Sequence, residues 1–140
     1  MFTIGIDPHK GTHTAAVLDG TEIVIDELRL VADRHQRDRL LSFATRFEPR
    51  TWAIEGAGGL GALLAQQLVA AGETVFDVPP TLLARVRLLD STRTDKTDSH
   101  DARAAAIVAM RHGRLRRVTP VDHSAVLRLL ADRHHDLTGL

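Results

Sequence analysis

Four carboxylates in three pieces of chain are the residues best suited to chemistry: Asp7 closing FTIGID, Glu55 closing TWAIE, and the pair Asp98 and Asp101 in KTDSHDA. Two end apolar strand-like runs and two open a helix, so a fold that gathers these three ends makes a small acidic pocket. Three or four carboxylates can hold two hard divalent cations about 4 Å apart, one activating water or a hydroxyl and the other stabilising a leaving oxygen. Without a cation, like charges this close raise one another's pKa, so such a cluster makes physical sense mainly when occupied. Each acid also has a plainer role. Thr97 can cap the helix, acids in a first turn favour its positive end, and strand-end acids are often turn formers.

The elements that must position these acids are legible in the pattern. FTIGID and THTAAVLDG are β-like runs separated by PHKG, and TEIVIDELRL follows Asp19-Gly20, a two-residue hairpin signal, giving a three-stranded antiparallel meander. Asp33 is placed to cap a helix through about Phe47, with Leu40, Leu41, Ala44 and Phe47 on one face. RTWAIE is a short buried strand. Gly56 to Gly61 form a tight turn into the helical run LGALLAQQLVAAG, which Gly72 ends, and ETVFDV is a fifth strand. Pro79-Pro80 start another helical stretch, and DSHDARAAAIVAMRHG is the best helix in the chain.

Three strands, helix, strand, helix, strand and then helices match the ribonuclease-H-like plan, an α/β mixed five-stranded sheet flanked by helices. There strands one and four are parallel neighbours, so Asp7 and Glu55 project into one crevice at their carboxyl ends. Asp98 and Asp101, three apart, share a helix face that continues through Ala105 and Val108. Alanines at 102, 104, 105, 106 and 109 permit that helix a close approach to the sheet. The last stretch, SAVLRLLADRHHDLTGL, is amphipathic and stops without a C-cap, which suggests a helical arm that continues or packs on something else. The expected division is a catalytic domain at 1–118 and the start of an arm at 119–140.

Length and composition bound the rest. At 140 residues and 44% hydrophobic content the chain reads as one globular domain. It has no cysteine, which removes disulfides and thiolate metal sites and makes a reducing cytoplasm the simplest compartment. No apolar run reaches the roughly 18 residues of a membrane span. Net charge is zero, yet residues 1–80 hold seven Lys or Arg against eleven acids, while residues 81–120 hold nine against four. Basic charge thus surrounds the DSHD segment, as an enzyme acting on a phosphodiester requires. His9 and Lys10 after Asp7, with Arg93, Lys96 and His100 around the acid pair, are the candidate phosphate contacts. GAGGLG has neither a Walker lysine nor GxGxxG spacing, and no histidine has zinc-type spacing with a partner.

IGIDPHKGTHTAAVLD, WAIEGAGGLGALLAQQL and RTDKTDSHDARAAA together resemble the N-terminal domain of the DEDD transposases of bacterial insertion sequences, the insertion-sequence-one-ten family, over nearly the whole chain. The resemblance implies a fold like that of the RuvC Holliday-junction resolvase, and Asp7, Glu55, Asp98 and Asp101 as the acidic tetrad binding Mg²⁺ or Mn²⁺. Asp95 competes, but the KTDxxDA frame favours 98 and 101. It also implies DNA as substrate, a structured bridge RNA as guide, a homo-oligomer, and a nucleoid-associated place in a bacterial cytoplasm. Full-length members carry a C-terminal domain with a nucleophilic serine, and Ser42, Ser91, Ser99 and Ser124 are not in that setting, so the family route of strand exchange is expected to need that domain. Alternatives are a self-contained resolvase-like nuclease, a non-catalytic nucleic-acid-binding module, and an actin-like sugar kinase, whose first strand also ends in Asp before a Gly-Thr turn.

Overall fold

The structure, a computed structural model, describes residues 1–83 and 98–121, and of 98–100 the backbone alone. Strands β1 (Phe2–Pro8), β2 (Thr12–Leu18) and β3 (Val24–Val31) form the meander. They are followed by α1 (Gln36–Ala44), β4 (Arg50–Glu55), α2 (Ala62–Ala70), β5 (Val75–Val78) and α3 (Asp98–Arg111). The sheet order is β3-β2-β1-β4-β5, parallel at β1/β4 and β4/β5 and antiparallel elsewhere. This is the mixed five-stranded sheet expected from the element order.

Strand alternation divides the core into two layers. Ile4, Ile6, Val17, Trp52 and Ile54 turn to one face and pack with Leu40 of α1 and with Leu64 and Leu68 of α2. Each such large side chain, fully buried, stabilises the fold by roughly 1.5–3 kcal/mol. The other face carries small residues, and α3 lies on it through Ala102, Ala105, Ala106 and Val108 against Ala16, Leu18, Ala53 and Val78. The alanines permit the close approach the sequence suggests. A Cβ on Gly5 would fall 1.9 Å from the Ala102 carbonyl oxygen, so helix and strand backbones nearly touch.

Helix α2 ends as its sequence indicates. Gly72 adopts φ +89°, its N–H reaches the Val69 carbonyl, and the Glu73 N–H reaches that of Leu68, closing a Schellman motif. The Glu73 carboxylate then accepts from Arg50 Nε and from Trp52 Nε1, both at 2.7 Å. Glu73→Ala leaves both donors without their acceptor in a largely buried setting. The expected loss is about 2 kcal/mol, read as a lowered midpoint in thermal unfolding, with Glu73→Gln losing less.

Two local expectations fail for identifiable reasons. The Asp19-Gly20 pair does not make a two-residue hairpin, because the Asp19 carboxylate accepts from the Thr21 N–H, the Thr21 hydroxyl and the Ile23 N–H. That builds a longer link, residues 19–23, with the positive φ at Glu22. Arg111 at the end of α3 donates to Glu22. Asp33 does not cap α1 directly. It accepts from the His35 N–H, and its carbonyl from the Gln36 N–H, forming a turn after which the helix starts at Gln36 and ends at Ala44, short of Phe47.

A pairing absent from the sequence reading closes the other side of the sheet. Residues 116–118 run antiparallel to β5, with Asp77 N–H to the Arg116 carbonyl and Val118 N–H to that of Val75. Residues 80–83 are helical, as the Pro79-Pro80 signal indicates. The rest of that stretch, with Arg93, Asp95, Lys96 and Thr97, and the arm from 122 to 140 lie outside the described residues.

Candidate active site

The register of β1 on β4 aligns Ile6 with Ile54, so the next residue on each parallel strand is Asp7 and Glu55. Both follow residues that face α1 and α2, so both turn to the α3 side. Asp7 and Glu55 are close enough for their side chains to interact, and Asp101 on α3 is near enough for its charge to act on Asp7. Asp98 is the first residue of α3, three positions before Asp101. Thr14, buried, lies directly across the ladder from Asp7.

Asp7 is only 4% exposed. Burial pushes its pKa above the ordinary carboxylate value of 3.8, and the Asp101 charge adds to the rise; His9 and Glu55 oppose it without cancelling it. His9 Nε2 lies 2.9 Å from Asp7 Oδ2. The imidazole expected to face phosphate therefore first serves the carboxylate, from a turn fixed by the His9 N–H to the Thr12 carbonyl. Lys10 is exposed on the same turn.

The glycine turn after Glu55 is held from two sides. Gly56, at φ +62°, donates to the Val78 carbonyl, and the Ala57 N–H donates to Asp77 Oδ1 at 3.0 Å. Asp77, which sequence reasoning passed over, thus fixes the backbone next to Glu55. Its signal was present: an acid inside the apolar run VFDV.

The structure brings Asp7, Glu55 and Asp101 to one place and puts His9 beside them, with Lys10 next to His9 on the turn. Among the described residues, no group of three His, Asp or Glu side chains is close enough as it stands to hold a metal ion. The donors still suit one by type: all are hard carboxylate oxygens, one buried at an energetic cost that a cation would offset.

A family model for transposases, that of the DEDD transposases of the IS110 type, matches residues 4–140. The chain belongs to the IS110 transposase family. No curated protein matches it significantly. Among solved structures it is similar to Thermus thermophilus RuvC in complex with a Holliday junction substrate, with TM-score 0.61 and 20% identity over 84% of this chain and 99% of that one. A second Thermus thermophilus RuvC structure gives TM-score 0.59 and 19% identity over 84% and 100%. The transposase domain therefore has the RuvC-like form of the ribonuclease-H-like fold. Among its described residues no helix is long and apolar enough to cross a membrane.

Proposed function

We propose that this chain is the metal-dependent DNA-cleaving domain of its transposase, with Asp7, Glu55, Asp98 and Asp101 holding Mg²⁺ or Mn²⁺. The supporting observation is the buried Asp7 carboxylate, beside Glu55 and within reach of the charge of Asp101, at the carboxyl ends of two parallel strands. An ionised carboxylate in that setting is costly unless a cation is paired with it. When bound, the metal supplies a Lewis acid to the scissile phosphodiester and lowers the pKa of the attacking water or hydroxyl.

The chain's own groups set the stage for that chemistry. His9 fixes the orientation of Asp7, Asp77 fixes the turn beside Glu55, and the close seat of α3 on Gly5 fixes the level of Asp101. Lys10, with Arg93, Lys96 and His100, would hold the DNA backbone beside the acids. The neighbouring RuvC is bound to a Holliday junction, which favours branched DNA as the substrate. Guidance by a structured bridge RNA, completion by a serine-bearing domain and assembly into an oligomer follow from the family resemblance.

Asp101→Ala removes one proposed ligand without touching the sheet. Cleavage of branched DNA in Mg²⁺ is expected to fall about a hundredfold or more, equivalent to roughly 3 kcal/mol of barrier. Unchanged cleavage would remove Asp101 from the site. A self-contained junction nuclease is the second reading, favoured by the match to 99% of the resolvase's length. It requires the 140 residues alone to cut a junction.

A further inference from the structure

The outer edge of β3 is eight residues long, contains neither proline nor lysine, is bulged only near its start, where Leu18 pairs with Val24 and Val17 with Asp26, and has no strand paired to it among the described residues. Natural sheets usually shorten, bend or cover such an edge, because its free amides invite another strand. Here Ile25 and Val31 are 42% and 55% exposed beside it.

The ladder identifies which backbone groups point outward. The His9 N–H bonds Thr12 O and the Ala32 N–H bonds Gly11 O. By antiparallel alternation, Asp26, Leu28 and Leu30 then bond to β2, while Glu27, Arg29 and Val31 present their N–H and C=O groups to the outside; the bulge at Ile25 ends this regular stretch. Consistent with this, the Glu27 N–H is taken by the side chain of its own neighbour, Asp26, at 2.8 Å. The side chains of Glu27, Arg29 and Val31 lie on the α3 face, since Glu27 stands opposite Ala16.

We infer that this edge pairs with β3 of a second copy of the chain, antiparallel about a two-fold axis at Leu28. In that register Glu27 faces Arg29 of the second copy and Arg29 faces its Glu27, and each Val31 reaches the bulged end of the second copy's strand. Glu27 and Arg29 fall in hydrogen-bonded pairs. Sliding by two residues either way sets Glu27 against Glu27 or Arg29 against Arg29, which is unfavourable across strands. Sliding by one mismatches outward with inward groups. One register therefore satisfies charge and hydrogen bonding together. The two-fold runs perpendicular to the joined sheet, so both acid pockets open on the same face. Five strand spacings, about 24 Å, separate the two β1 strands.

The test is the oligomeric state of the 140-residue chain by sedimentation equilibrium, with circular dichroism to confirm that each variant folds. Wild type is expected to dimerise. Glu27→Arg and Arg29→Glu are each expected to weaken the dimer about tenfold, and the double exchange to restore it. Asp26→Ala, which frees the Glu27 amide, is expected to strengthen it. Because the chain has no cysteine, Leu28→Cys supplies a unique thiol facing its own copy across a non-bonded pair, and mild oxidation should link it. A monomer at high micromolar concentration, or a dimer indifferent to both single reversals with no Leu28→Cys cross-link, overturns the inference.

Discussion

Asp7→Asn is expected to make the metal-free chain more stable at neutral pH while abolishing its response to Mg²⁺. The Asp7 pKa is raised in the folded state, chiefly by burial. A carboxyl with a raised folded pKa contributes stability that is fully present below its unfolded value and is lost as pH rises through the folded one. At pH 7 the ionised Asp7 is therefore a liability unless a cation neutralises it. Asparagine keeps the shape and an acceptor for His9 but removes the charge, for an expected gain on the order of 1–3 kcal/mol. Thermal unfolding should show the variant several degrees above wild type at pH 7, with the gap closing as pH falls below the ordinary carboxylate value of 3.8, where the carboxyl is protonated in both folded and unfolded chains. Saturating Mg²⁺ at a hundred times its dissociation constant should add about 2.7 kcal/mol to wild type and nothing to Asp7→Asn. Cleavage should fall about a thousandfold or more, as expected for losing a ligand that stabilises the reacting oxygens.

Gly5→Ala tests the other half of the site. Its Cβ would lie 1.9 Å from the Ala102 carbonyl oxygen and 2.9 Å from the Ala106 nitrogen, both backbone atoms of α3. Neither can rotate aside, so the helix must rise from the sheet by an ångström or more. The expected cost is about 3 kcal/mol, the upper end for an overpacked core, and Gly5→Val should unfold a chain whose whole stability is roughly 5–15 kcal/mol. Urea unfolding measures both. Gly11→Ala, where nothing lies within 4 Å of the new Cβ, is the control and should be close to neutral. Any Gly5→Ala protein that stays folded carries Asp101 away from Asp7, and so should lose metal response out of proportion to its lost stability.

The sheet and its order were legible because period-two and period-3.6 patterns are local and strong along this chain. Asp7 and Glu55 could be paired from chain order, since parallel neighbours bring their carboxyl ends together. The Asp19 and Asp33 turns were misjudged for one reason: a short acidic side chain can satisfy several nearby amides, and sequence does not say which. The touch of Gly5 on Ala102, the pairing of Arg117 with Phe76 and the hold of Asp77 on Ala57 join residues distant in the chain, and no periodicity reports them. His9 was read as a phosphate contact because it follows Asp7, and nothing in the sequence shows that the tight turn to Thr12 also sets its ring on that carboxylate.

Calorimetric titration of Mn²⁺ into the 140-residue chain tests the metal site most directly, because binding is read without any DNA, RNA or further domain. Saturable binding at or below roughly millimolar concentration, lost in Asp7→Asn and weakened in Glu55→Gln and Asp101→Asn, is the expected result. An absence of binding at that concentration, or binding that survives Asp7→Asn unchanged, would contradict the assignment of these carboxylates to a catalytic metal centre.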